Sequence, residues 1–224
     1  MEKNDVKVIF KFDKEKDLWN HWDKSNKSSS FGKFKIHPRT LEICKGKEFE
    51  ECKEELSNHL KRVHESKILE IFLESVEKSW KEVEEKFFRR MNNLMKKRFN
   101  KDIFAYLTTL SVCPYNVDEP SFMFSFFSTL THSLKTCGHE IMHLYFHEFY
   151  WKDVEKEIGE KKTGDLKEAL TVLLNQEFKD LWFVEDEGYE EHKKLREFIV
   201  NEWKKEKDFE KLLERCIKYL KLGN

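Results

Sequence analysis

Long apolar runs are missing from this 224-residue chain. No span of about 20 apolar residues occurs, and the opening Met1-Glu2-Lys3-Asn4-Asp5 lacks the uninterrupted apolar core of a signal peptide. We therefore expect a soluble, cytoplasmic protein with no membrane partner. Paired cysteines are missing too. Cys44, Cys52, Cys113, Cys137 and Cys216 are odd in number and show no CxxC spacing, so neither a disulfide framework nor a thiolate zinc ribbon is indicated, and reduced thiols fit best. Nor is there an excess of one charge: 42 Lys and Arg stand against 43 Asp and Glu, and a net charge of −1 gives no global attraction to nucleic acid or to an anionic membrane. Internal repeats and low-complexity tracts are absent, apart from a general abundance of Lys and Glu.

What the chain does have is bulky core material. Its 20 Phe and 6 Trp can fill an interior, while 38% charged residues cover the outside, and the length suits one sizeable domain. Val6, Val8, Phe10 and Phe12 alternate with Lys7, Ile9 and Lys11 as in a half-buried strand. A loop is expected over 24–32 and a second short strand over 33–36, closed by His37-Pro38 because the residue before proline is driven to extended geometry. Residues 48–99 read as helical with one or two breaks, and Leu69, Ile71, Phe72, Val76, Trp80, Val83, Phe87, Met91 and Leu94 mark one long amphipathic helix. Two β-rich apolar runs, 103–112 and 122–127, read as adjoining strands joined by a turn. A helix from about 131 follows, then helical segments near 165–181, 189–205 and 209–222. The expected fold is α+β and mainly helical, a single domain over 1–224. It divides into a strand-containing segment (1–47), a long helical segment (48–100), a core (101–205) and a C-terminal helix (206–224).

His139-Glu140-Ile141-Met142-His143 is the one place where the sequence declares a chemistry. Two imidazoles four positions apart on a helix lie about 6 Å apart along it and share a face, so both can bind one ion, with Glu140 placed to act on water rather than on the ion. The plain alternative is a buried helix with two hydrogen-bonded histidines. Gly138, just before the motif, is a place where a missing side chain lets another backbone come close. A catalytic zinc usually takes three protein ligands. His147 lies eight residues beyond His139, roughly 12 Å along a straight helix and too far to share one ion, so it is expected to pack or hydrogen-bond nearby. Glu168 is the better third ligand, provided the motif helix ends near 150–153 so that the following helix can return. Asp165-x-x-Glu168 also has the form of a capping box, and Glu177 and Asp186 are further candidates for the third ligand.

With these residues, the stretch from about 102 to 195 resembles a zincin metallopeptidase of the gluzincin type, on His139-Glu140-x-x-His143 and Glu168-Ala169-Leu170-Thr171 preceded by a sheet. The resemblance implies one zinc per chain held by His139, His143 and Glu168, and Glu140 as general base and proton shuttle. It also implies a downstream Tyr or His that stabilises the oxyanion, for which Tyr189 and His192, after the turn at Gly188, are the available pair; the same residues also read as an ordinary capped helix start. Family members often carry Asn before the ligand Glu and Asp four residues after it. Here Lys167 and Val172 stand there, leaving the support of the histidines to Thr171, Asn175 or His147. Residues 1–100 carry no resemblance.

The expected activity is metal-assisted hydrolysis of a peptide or other amide, on a peptide or protein substrate, which an exposed strand edge of the 103–127 region could pair with. A non-catalytic zincin-like scaffold acting as an interaction module is the alternative. A third reading takes the basic run Arg89-Arg90 to Lys96-Lys97-Arg98 as an RNA or membrane face, but acidic residues flank it and a solvated helix face is the expectation, with no nucleic-acid partner.

Overall fold

The computed structural model describes residues 6–27 and 36–223. Val8–Phe12 forms β1, Ile103–Thr108 β2, Tyr115–Asn116 β3 and Ser121–Ser125 β4, in one sheet of order β1-β2-β4-β3. β1, β2 and β4 run parallel, and the two-residue β3 lies antiparallel on the outer edge of β4. The two apolar runs are neighbours as expected, but they are parallel and not joined by a simple turn. A parallel pair needs a connection of a dozen or so residues, and the chain between β2 and β4 holds β3.

Alternation decides what each strand presents. Val8, Phe10, Ile103, Ala105, Leu107, Phe122 and Phe124 enter the main core, which the long helix α4 (Lys67–Met95) and the helix α5 (Leu130–Phe149) cover with Trp80, Phe87, Ile141 and Tyr145. The break foreseen before α4 is the pair Glu65–Ser66, where α3 (Phe49–His64) ends and the Ser66 hydroxyl accepts from Ile68 N–H. Two helices of the N-terminal segment were not foreseen, α1 (Lys14–Asn26) and α2 (Pro38–Cys44). With α3 they enclose a smaller core of Leu18, Ile43, Cys44, Cys52, Leu56 and Leu60. Pro38 opens α2 at its first position, where a missing N–H costs nothing, instead of closing a strand. The strand expected over 33–36 lies outside the described residues except Ile36, which is not in a strand.

After α5 come α6 (Trp151–Ile158), α7 (Glu160–Leu170), α8 (Val172–Glu177) and α9 (Lys179–Trp182), where the sequence pattern indicated one helix over 165–181. A 3-10 turn, Glu190–His192, leads into α10 (Lys193–Lys205), and α11 (Phe209–Lys221) closes the chain. Two cations of the basic run are met by acidic groups of this later part of the chain, Arg90 by Asp180, which also pairs with Lys86, and Lys96 by Asp208. No helix among the described residues is long and apolar enough to cross a membrane.

Candidate metal centre

Two turns in the chain build the site. α5 ends at Phe149, one residue before the 150–153 window expected from the sequence, and Tyr150 leaves helical geometry (φ −133°) while its hydroxyl donates to the Met95 carbonyl at 2.5 Å. Gly159 then takes φ +79°, a left-handed value that costs a glycine little, and α7 returns against α5. Since α7 starts at Glu160, Asp165 is not an N-cap and Glu168 sits in the last turn, so the capping-box reading falls.

The return brings one carboxylate to both imidazoles. Glu168 Oε2 is 3.6 Å from His139 Nε2 and 3.4 Å from His143 Nε2, and the ligand atoms of the three residues all lie within 4.8 Å of one another. These two separations are close to the ~3.3 Å edge of a tetrahedron with ~2 Å bonds. Burial makes the arrangement costly without an ion: Glu140 Oε2 and both ring nitrogens of His143 are buried and have no hydrogen-bond partner among the described residues. Two imidazoles and a carboxylate converging on such a spot could hold a metal ion.

The other side of His139 is tied down. Asp186 Oδ2 accepts from its Nδ1 at 2.7 Å, which turns Nε2 toward Glu168. Asp186 thus supports His139 and is not one of the converging donors, which corrects the reading of it as a third ligand. It is itself held by the Thr171 hydroxyl (2.8 Å to Oδ1) and by Asn175, which bonds both its N–H and its carbonyl. The buried Arg196 grips the Asp186 carbonyl and lies 3.2 Å from Oδ1. Thr171 and Asn175 therefore supply the support looked for in the sequence, one step removed from the imidazole. Gly188 has φ +67°, and a Cβ there would come within 2.6 Å of Arg196 Nη1, so the glycine serves this clamp as well as the turn.

Other candidates have different duties. Glu177 accepts from Trp203 Nε1 at 2.8 Å and from Lys207, away from the site. His147 bonds the Tyr115 hydroxyl at 2.9 Å and stacks on Trp151, as a residue too far along the helix should. His192 lies 3.3 Å from Asp165 Oδ1 and lines, with Glu168, Lys167 and Trp151, an open cleft of about 570 Å³. Tyr189, 41% exposed, rests edge-on against the His192 ring. Gly138 admits a side chain and not a backbone: a Cβ there would stand 2.6 Å from the Trp182 ring.

The electrostatics separate the groups. Burial pushes the Glu140 carboxyl up to about 7, only partly offset by the positive charge of His139 and Lys167. Burial works against an imidazolium at His139, but Asp186 and Glu168 outweigh it and raise that group to about 10; at His143 burial, Lys167 and His139 act together and lower it to about 3. Glu168, despite burial, is held far below the usual carboxylate range by the two histidines and Lys167. Lys167 is the participant the sequence did not announce. Its Nζ lies 2.7 Å from Glu168 Oε1 and donates to the Tyr115 hydroxyl at 2.9 Å. A lysine beside a ligand glutamate looks like any helix-face lysine until α7 is packed, so no local pattern marks it.

None of the family models, curated proteins and solved structures compared with the chain matches it.

Proposed function

We propose that the chain is a zinc-dependent hydrolase of peptide or other amide bonds, of the gluzincin kind. One observation carries the reading: the three converging donors His139, His143 and Glu168 stand beside a buried carboxylate, Glu140, that has an oxygen without a partner among the described residues. The donor set suits zinc, which when bound polarises a carbonyl and acidifies water toward a pKa of ~7. Glu140 then accepts the proton of the attacking water on its unpartnered oxygen and returns it to the leaving nitrogen. Burial, which raises the Glu140 carboxyl in the ion-free protein, favours its taking up that proton. Asp186 keeps the His139 proton on Nδ1, so that Nε2 stays a donor to the ion. His192, which lines the cleft beside Glu168, and Tyr189, which rests against its ring, are the groups for the developing oxyanion, and the cleft receives the substrate.

Elemental analysis of untagged protein should find one zinc per chain, lost when His139 or His143 becomes Ala. Glu140→Gln should keep the zinc and abolish turnover of a peptide library. Full activity in that variant would remove Glu140 as the base, and a metal-free protein would remove the reading.

A further inference from the structure

A carboxylate ligand can grip an ion with one oxygen or with two, and the choice changes how many coordination positions remain. In this chain the two oxygens of Glu168 face different partners. Oε2 points at the histidine pair, 3.4 and 3.6 Å from their Nε2 atoms, while Oε1 is 2.7 Å from the Lys167 ammonium. Lys167 is itself only 6% exposed, and a buried ammonium stays where its partners are. Besides Oε1 it has the Tyr115 hydroxyl at 2.9 Å, and it lies 4.7 Å above the centre of the Tyr115 ring.

Tyr115 is fixed in turn. Its oxygen accepts from Lys167, so its own proton is available to His147 Nε2 at 2.9 Å, and the His147 ring is stacked on Trp151 at 4.2 Å. The run Glu168 Oε1, Lys167, Tyr115, His147 thus links α7, the edge strand β3 and the last turn of the motif helix α5. Each member occupies the atom with which the previous one could otherwise turn.

We propose that Lys167 is a positioning residue that keeps Glu168 a one-oxygen ligand, with Tyr115 and His147 holding Lys167 in place. This rests on the metal-binding reading above. Without the ammonium, Oε1 is free to swing onto the ion, and the coordination number rises by one.

Cobalt(II), added alone to the full-length metal-free protein, reports this directly, since its visible d–d bands are strong in four-coordinate sites and weak in five-coordinate ones. The parent chain should bind one cobalt with the strong four-coordinate spectrum. Lys167→Met, which keeps the length and apolar stem of the side chain, should bind one cobalt with the weak five-coordinate spectrum, and zinc X-ray absorption should show one additional oxygen neighbour. Tyr115→Phe, which keeps the ring and removes only the hydroxyl, should move the spectrum part of the way, and it decides the matter if Lys167→Met does not fold. Four-coordinate spectra unchanged in the folded variants, or a parent site already five-coordinate, would overturn the inference while leaving a metal site standing. A parent chain that takes up no cobalt or zinc would sink the metal-binding reading and this inference with it.

Discussion

Asp17 and Glu140 are both carboxylates buried beside histidines, yet their surroundings are finished differently. Asp17 sits where α1 and α3 meet the end of β2, and its oxygens accept from the Thr108 hydroxyl (2.6 Å), Thr109 N–H (2.7 Å), the Thr109 hydroxyl (2.6 Å) and His64 Nε2 (2.8 Å). His21 adds a bond to the Thr109 hydroxyl at 3.0 Å. The Nδ1 atoms of His21 and His64 have no partner among the described residues, but the carboxylate itself is saturated. At the candidate metal centre the lack reaches the converging groups: Glu140 Oε2 and both ring nitrogens of His143. A cluster whose anion is satisfied by its own chain stabilises the fold, whereas one whose converging atoms lack partners costs stability and is open to a group from outside.

The largest expected effect breaks the saturated cluster. Asp17→Ala leaves buried donors without their acceptor and should cost about 3–5 kcal/mol in urea unfolding, while the folded fraction still binds one metal per chain. Metal loss in that variant at unchanged stability would reverse the comparison. The same carboxylate sets a pH response. Burial opposes its ionisation, but His64, His21 and the two threonines outweigh that and lower its pKa in the folded protein. Its contribution is therefore present above the unfolded value of about 4 and is lost as pH falls below it. Asp17→Asn should flatten the acid limb of the stability profile there, and an unaltered limb would assign the acid response elsewhere.

Next in size is the effect of filling the open cluster. Zinc at 100 times its Kd should raise the unfolding free energy by about 2.7 kcal/mol, seen as a higher Tm that a chelator reverses. Asp186→Ala should then weaken zinc binding about 10- to 100-fold in a competition titration with a chromophoric chelator, because His139 loses the partner of its Nδ1. An affinity equal to that of the parent chain would deny Asp186 its supporting role. Of similar size is Gly138→Ala, which pushes a methyl against the Trp182 ring and should cost about 1–3 kcal/mol in thermal unfolding, with metal stoichiometry intact. A neutral result would mean that Trp182 can yield.

Legibility followed how locally each feature is encoded. The long helix α4 and the strand β1 carry their apolar residues at the period of their own geometry, so both are visible in the bare chain. α1 is not, because the positions it buries include Asp17, Asn20, His21, Asp23 and Ser25; polar groups facing inward erase the apolar period. The direction of β4 against β2 was hidden for another reason: an apolar run has the same composition whichever way its neighbour points, and only the intervening edge strand settles it.

By itself, the order of residues determined the mainly helical class with its small sheet, the pairing of His139 and His143 on one helical face, and the condition that α5 must stop near residue 150 for Glu168 to take part. Those follow from rise and period along a single segment. Tertiary structure alone decided that Asp186 supports His139, that Arg196 clamps Asp186, and that Lys167 and Tyr115 claim the second oxygen of Glu168. Those contacts join elements far apart in the chain, and charged side chains of ordinary appearance gain their roles only when packing removes water from around them.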